Sequence, residues 1–172
     1  MEYLILIVLV LAVLAILGVA TAKRQYGYRK HVTLFTKAER SFLGVLDQAV
    51  GEEYRIFGKV RVADILAPEK GMSRKSWRTA FNKISGKHFD YVLCKKSDLS
   101  VIAVVELDDK SHRGSRAKAR DSFLENACSS AGLTLVRFPA KASYQVHSVR
   151  DSLHKAISPK ADHNSSSAGH KK

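Results

Sequence analysis

From Tyr3 to Ala22 the chain runs for twenty residues without a charged side chain, almost all of them Leu, Ile, Val and Ala. A helix of that length rises roughly 30 Å, the thickness of a bilayer's hydrocarbon core. A helix packed in a soluble domain keeps a polar face, and this run has none. The rival reading is a cleaved signal peptide with Thr21-Ala22 at the cleavage site. That reading needs a positively charged start, whereas the chain opens Met1-Glu2-Tyr3, and the apolar run is longer than a signal peptide's core. The expectation is therefore a transmembrane helix over residues 3–22. Lys23, Arg24, Arg29 and Lys30 follow at once, which by the positive-inside rule puts the C-terminal side in the cytoplasm. Residues 23–33 read as a juxtamembrane linker, with Tyr26 and Tyr28 suited to the headgroup zone.

Charge is divided as sharply as hydropathy. The formal net charge is +13, and Glu2 is the only charged side chain before Lys23, so all 29 Lys and Arg lie beyond the apolar run. Such a surplus favours anionic partners, either nucleic acid or acidic lipid headgroups, without choosing between them. Cys94 and Cys128 are too few for a disulfide framework, and no His/Cys cluster has zinc spacing. Both sit in apolar contexts and read as buried thiols of a reducing compartment.

The remaining pattern is that of one α/β domain over residues 34–157. Thr36-Lys37-Ala38-Glu39 is a capping-box pattern that opens a helix with Phe42, Leu43, Leu46 and Val50 on its apolar face, ended by Gly51. Residues 54–65 read as one strand or a bent pair, and 68–71 as a loop. Trp77, Ala80, Phe81 and Ile84 fall at helical spacing, which makes Trp77 a core residue rather than a base-stacking platform, and Gly86 supplies the stop. Strands follow at 89–94 and 101–107, joined by a turn at 95–99. The second strand is nearly all apolar and hence central. A helix over 117–131, a strand over 133–138 and a last helix through Val146, Val149, Leu153 and Ile157 complete the domain. Residues 158–172 form a polar tail with the composition of a disordered segment. The order predicts a mixed sheet with helices on its faces.

The chemically informative stretch is Val104-Val105-Glu106-Leu107-Asp108-Asp109-Lys110-Ser111-His112. An apolar strand runs straight into carboxylates, and side chains two apart share a face, so Glu106, Asp108 and Lys110 project together near its end. Asp90, on the preceding strand, lies across from them in the hairpin. Carboxylates gathered on adjacent central strands repel unless a cation sits between them, and oxygen ligands suit Mg²⁺ or Mn²⁺. The alternative is that these acids are solvated loop residues.

Several stretches carry a resemblance: Thr36-Lys37-Ala38-Glu39-Arg40-Ser41-Phe42-Leu43, Lys87-His88-Phe89-Asp90-Tyr91-Val92-Leu93-Cys94, Val105-Glu106-Leu107-Asp108-Asp109-Lys110-Ser111-His112, Arg120-Asp121-Ser122-Phe123 and Ala131-Gly132-Leu133. With these, residues 34–138 or so resemble the bacterial domain of unknown function 2726, a branch of the PD-(D/E)XK nuclease-like superfamily. The last half of the Glu106 motif also resembles that of the very-short-patch-repair-type nucleases. The resemblance implies a restriction-endonuclease-like mixed sheet with flanking helices and Mg²⁺-dependent hydrolysis of phosphodiesters. Asp90 and Glu106 would then hold the metal, and Glu39 would be the first-helix acid that completes such sites. Glu39 is explained equally well by its capping box. Two departures stand out. The Lys expected two residues after Glu106 is Asp108, and no Pro precedes Asp90. Lys110, one step further along the same face, is the remaining cation. His112 is either a general acid or base, as in the repair-type branch, or an exposed turn residue.

Arg113, Arg116, Lys118 and Arg120 follow the motif and either contact phosphates or form a solvated helix face. Arg120 and Asp121 alternatively pair with the site acids, and Arg137 faces either the site or solvent. The combined expectation is an inner-membrane protein whose cytoplasmic, metal-dependent nuclease-like domain acts on nucleic acid, DNA above all. A catalytically inactive DNA-binding module and a membrane-surface adaptor are the alternatives.

Overall fold

The structure, a computed structural model, describes residues 1–20, 26–108 and 115–158, with side chains in all of these except 15–20 and 115–121. The chain divides into two compact units, Met1–Val32 and Thr33–Lys172. In the first, helix α1 spans Glu2–Ala20, and every described side chain from Met1 to Leu14 is exposed. Among the described residues no helix is long and apolar enough to cross a membrane. The span expected over residues 3–22 therefore extends beyond what the structure describes. Residues 23–25 of the expected linker lie outside the described residues, as does the expected tail apart from Ser158.

The second unit is built on a four-stranded mixed sheet in the order β1-β2-β3-β4: Tyr54–Arg61, His88–Lys95, Val101–Asp108 and Thr134–Pro139. The first three strands form an antiparallel meander, and β4 runs parallel to β3. A parallel return needs a crossover, which helix α5 (Ser115–Ser130) provides, as the apolar run at Phe123, Leu124, Ala127 and Cys128 predicts. Strand β2 is buried from Phe89 to Cys94, and β3 from Ala103 to Glu106. These are the central strands, and both faces of the sheet are covered.

Helices α2 (Lys37–Val50) and α6 (Val146–Ile157) cover one face, packing Phe42, Leu46, Val149 and Leu153 onto Tyr91, Leu93, Val105 and Phe138. The short α3 (Val62–Ile65), α4 (Arg74–Ser85) and α5 cover the other through Val62, Ile84, Leu124 and Cys128 on Phe89, Val92 and Val104. The segment expected as one strand or a bent pair is thus a strand followed by a helical turn. Trp77 departs from expectation more sharply. It is 44 % exposed and stacks on Phe81, because α4 buries only Ile84. Both cysteines are free and buried, as expected, and burial pushes the Cys128 thiol up to about 11, which leaves no thiolate at neutral pH.

One irregularity positions the site. The flanking register pairs Gly58 with Tyr91 and Val60 with Phe89, which sets Lys59 across from Asp90. Lys59 has φ 55, a left-handed conformation rare for a side chain with a Cβ. At this point side-chain alternation breaks, since Phe89 and Tyr91 pack on opposite faces of the sheet although they are two residues apart. The neighbouring Gly58 is required by packing: a Cβ there would lie 2.1 Å from Cζ of Phe35, whose ring stacks on Tyr91 at 5.7 Å. Gly58→Ala is expected to cost about 1–3 kcal/mol through overpacking. Adding Phe35→Ala should recover part of that loss. A urea-denaturation double-mutant cycle that gives simple additivity would contradict the clash.

Candidate functional site

At one end of the sheet the last residues of β1, the first of β2 and the last of β3 and β4 come together, because β2 runs against its neighbours and β4 runs with β3. The register of Tyr91 on Val105 and Val92 on Val104 carries Asp90 opposite Glu106. Each acid accepts a backbone N–H from the other's strand. The Asp90 N–H donates to Glu106 Oε1 at 3.3 Å, and the Leu107 N–H donates to Asp90 Oδ2 at 3.0 Å. Both are buried, Asp90 at 8 % exposure and Glu106 at 3 %. Carboxylates are rarely buried without compensation, and here backbone donors supply part of it.

For Asp90, Lys59 adds a positive charge. Its Nζ donates to Asp90 Oδ1 at 2.8 Å and to Glu39 Oε1 at 2.7 Å. Glu39 belongs to the first turn of α2, and its second oxygen, Oε2, accepts the Thr36 N–H at 2.9 Å while its own N–H donates to Thr36 Oγ1. The capping-box reading of Glu39 holds for one carboxylate oxygen, while the other accepts from Lys59. The Tyr91 hydroxyl donates to the Glu39 carbonyl at 2.5 Å and fixes this turn against β2. Burial and the Asp90 charge raise the Tyr91 phenol well above its usual range, so it stays a donor. Burial acts to raise the Glu39 carboxyl, but the hydrogen bonds from Lys59 and Thr36 and the Lys59 charge outweigh it, and the net shift is downward. For Lys59 burial acts to lower the ammonium, and the hydrogen bonds and charges of Asp90 and Glu39 reverse that, so the net shift is upward.

The other expected site residues divide. Asp108 does not supply a cation, and its carboxylate instead accepts from Arg137 Nη1 at 2.7 Å. Arg137 thus faces the rim of the site, its Cα paired with that of Glu106 in the parallel register. Lys110, His112 and Arg113 lie outside the described residues. Arg116, Lys118 and Arg120 fall on α5, and their side chains lie outside the described residues as well.

Lys59 is the residue that sequence reasoning missed. The motif beyond Glu106 offers Lys110 as the cation, whereas the ammonium seen on Asp90 among the described residues comes from β1. A signal was present: glycine inside a strand marks a bulge or a close backbone approach, and Gly58 directly precedes Lys59.

A model of the family "Protein of unknown function (DUF2726)" matches residues 31–157. The chain belongs to that family. No curated protein and no solved structure matches the chain. The matched residues hold all four strands of the sheet, together with Glu39, Lys59, Asp90 and Glu106.

The donor set is one of hard oxygens, which suits Mg²⁺ or Mn²⁺ and not a soft metal. Among the described residues no group of three His, Cys, Asp or Glu is arranged to hold an ion. Two carboxylates nevertheless fit Mg²⁺, which keeps several waters and is held by one or two protein acids plus substrate oxygens.

The pKa directions fix the sign of a pH effect. Glu39, lowered on folding, contributes stability above its unfolded value that is lost as pH falls through the folded one. Lys59, raised on folding, contributes below its unfolded value and loses that contribution as pH rises past the folded one. Lys59→Met is expected to destabilise the fold by about 1–3 kcal/mol at neutral pH, since two carboxylates lose their shared partner. The deficit should shrink as pH falls into the carboxylate range. Urea midpoints across pH 4–8 check this, and a pH-independent deficit would contradict it.

Proposed function

We propose that the Asp90–Glu106 pair is the centre of a membrane-anchored, metal-dependent nuclease-like enzyme that hydrolyses phosphodiesters of nucleic acid. The observation that carries this reading is two buried carboxylates on adjacent strands, each accepting a backbone N–H from the other's strand, with an ammonium on Asp90. A stable fold has little reason to bury such a pair, whereas a site for phosphoryl chemistry needs it. The connectivity, helix, three antiparallel strands, crossover helix and parallel strand, is compatible with the restriction-endonuclease-like core that the sequence resemblance implies.

Asp90 and Glu106 would hold Mg²⁺ or Mn²⁺, which supplies a Lewis acid and lowers the pKa of a bound water. The chain's own groups do the remaining work. Lys59 brings a positive charge to Asp90 and so to the place where charge develops on a phosphate oxygen, the task expected of the motif lysine that Asp108 replaces. Glu39 holds the Lys59 ammonium in place. Asp108 and Arg137 form an ion pair at the rim, from which the guanidinium can meet a phosphate. Lys110 and His112 are the candidates for proton transfer to the leaving oxygen, and Arg113, Arg116, Lys118 and Arg120 for backbone contacts with the substrate.

The same reading gives α1 its role. A helix whose described side chains are apolar and exposed leaves a hydrophobic surface that lipid would cover. The proposed location is the inner membrane, with the domain on the cytoplasmic side.

The full chain in neutral detergent is expected to cleave DNA or RNA with Mg²⁺ or Mn²⁺ and not with chelator. Asp90→Asn and Glu106→Gln should abolish cleavage, and Lys59→Ala should slow it by about 10²-fold. Cleavage that survives both acid substitutions would overturn the assignment. Salt-dependent DNA binding without cleavage would favour the inactive binding module instead. For the anchor, a chain lacking residues 1–22 is expected in the soluble fraction of lysed cells and the full chain in the membrane pellet after alkaline extraction. Equal partition of the two would refute it.

A further inference from the structure

The exposure of Trp77 is unexplained by the fold and unused by the site. Arg74, Trp77, Arg78 and Phe81 stand at i, i+3, i+4 and i+7 on α4 and so share one face of it. The indole stacks on Phe81 with ring centroids 5.1 Å apart and planes within 8°, which covers one ring face and holds the indole in a fixed orientation. The helix carries Arg74, Lys75, Arg78 and Lys83 and no acid, and none of the four meets a carboxylate among the described residues. A flat aromatic surface held rigid between two arginines matches a strand whose bases are free to stack and whose phosphates need neutralising.

We infer that this face of α4 binds single-stranded nucleic acid, with a base stacked on Trp77 and the flanking phosphates met by Arg74 and Arg78. The chain itself limits how far this surface can lie from the site. From Trp77 the helix rises about 12 Å to Ser85, and Asp90 follows five residues later, at most about 17 Å away. One strand can therefore reach both. A duplex hides its base faces in the stack and offers this surface only its phosphates, so the preference is for single strands or for the unpaired part of a junction. The inference rests on the proposed nuclease reading only in taking the bound strand to be the substrate.

Trp77 is the chain's single tryptophan, so intrinsic emission reports on this surface alone. The full chain in neutral detergent, with chelator present so that no catalysis intervenes, is titrated with oligothymidylate, with its oligoadenylate duplex and with phosphatidylglycerol vesicles. Oligothymidylate is expected to quench the indole emission. By anisotropy of a labelled strand, Trp77→Leu should weaken single-strand binding about ten-fold or more and leave duplex binding nearly unchanged. Arg74→Gln with Arg78→Gln should reduce the salt slope of single-strand binding by about 1.4. Unquenched emission, or an equal loss on single strand and duplex, overturns the inference. Binding to vesicles alone overturns it in favour of a lipid contact. Single-strand binding without any cleavage leaves this surface standing and removes the nuclease reading, while cleavage indifferent to Trp77 does the reverse.

Discussion

The Lys59 ammonium, which sits between Glu39 and Asp90, organises the end of the sheet where Asp90 lies. It ties α2, β1 and β2 together through one atom. At contacts of 2.7 and 2.8 Å and an effective dielectric near 20, each attraction is roughly 6 kcal/mol before desolvation. Desolvating the ions offsets several kcal/mol apiece, so the net stability is small. What the bridge provides is orientation. It turns one oxygen of Glu39 away from its capping box and toward the sheet, and it sets Asp90 where β2 breaks its alternation. The unusual backbone of Lys59, with φ 55 beside a glycine packed on Phe35, is the local cost of that aim.

The acid pair depends on this bridge and on the sheet order. Antiparallel pairing of β2 with β3 puts the start of one beside the end of the other, so Asp90 and Glu106 meet although they are 16 residues apart. Parallel pairing of β4 then adds Arg137 at the same end. Groups from four strands and one helix terminus therefore gather where backbone hydrogen bonding stops and N–H groups become free to orient carboxylates. Within a family of unknown function, this cluster and the basic, aromatic face of α4 are two places among the described residues where the fold carries more charge or exposed ring surface than its own stability calls for.

Much of this was legible in the sequence because it was written in local periodicity. The capping box at Thr36–Glu39, the stops at Gly51 and Gly132, the hairpin turn after Lys95 and the apolar run into Glu106 each follow from a few consecutive residues. That Asp90 nears the acids at the end of β3 was legible too, since a short turn makes a hairpin, but a bulge between Leu93 and Cys94 shifts the register by one residue, and that shift sets Asp90 opposite Glu106. Trp77 was misread because helical spacing identifies a shared face but not how far along it burial reaches. On that face of α4 Ile84 is buried, while Trp77, seven residues before it, is 44 % exposed. The contact of Lys59 with Asp90 was illegible because it joins strands through residues 31 positions apart.

The sequence by itself determined the segregation of an uncharged apolar run from a strongly basic remainder, the kinds of element and their order, and two acids brought to the same end of a hairpin. Those are consequences of hydropathy and turn chemistry, which act over a few residues. Only the tertiary structure decided which cation meets Asp90, that one oxygen of Glu39 caps its helix while the other meets Lys59, that Asp108 turns to Arg137, and that Trp77 stays exposed. Each of these depends on how distant segments pack, where a single side chain's direction follows from the neighbours it displaces and the charges it must neutralise.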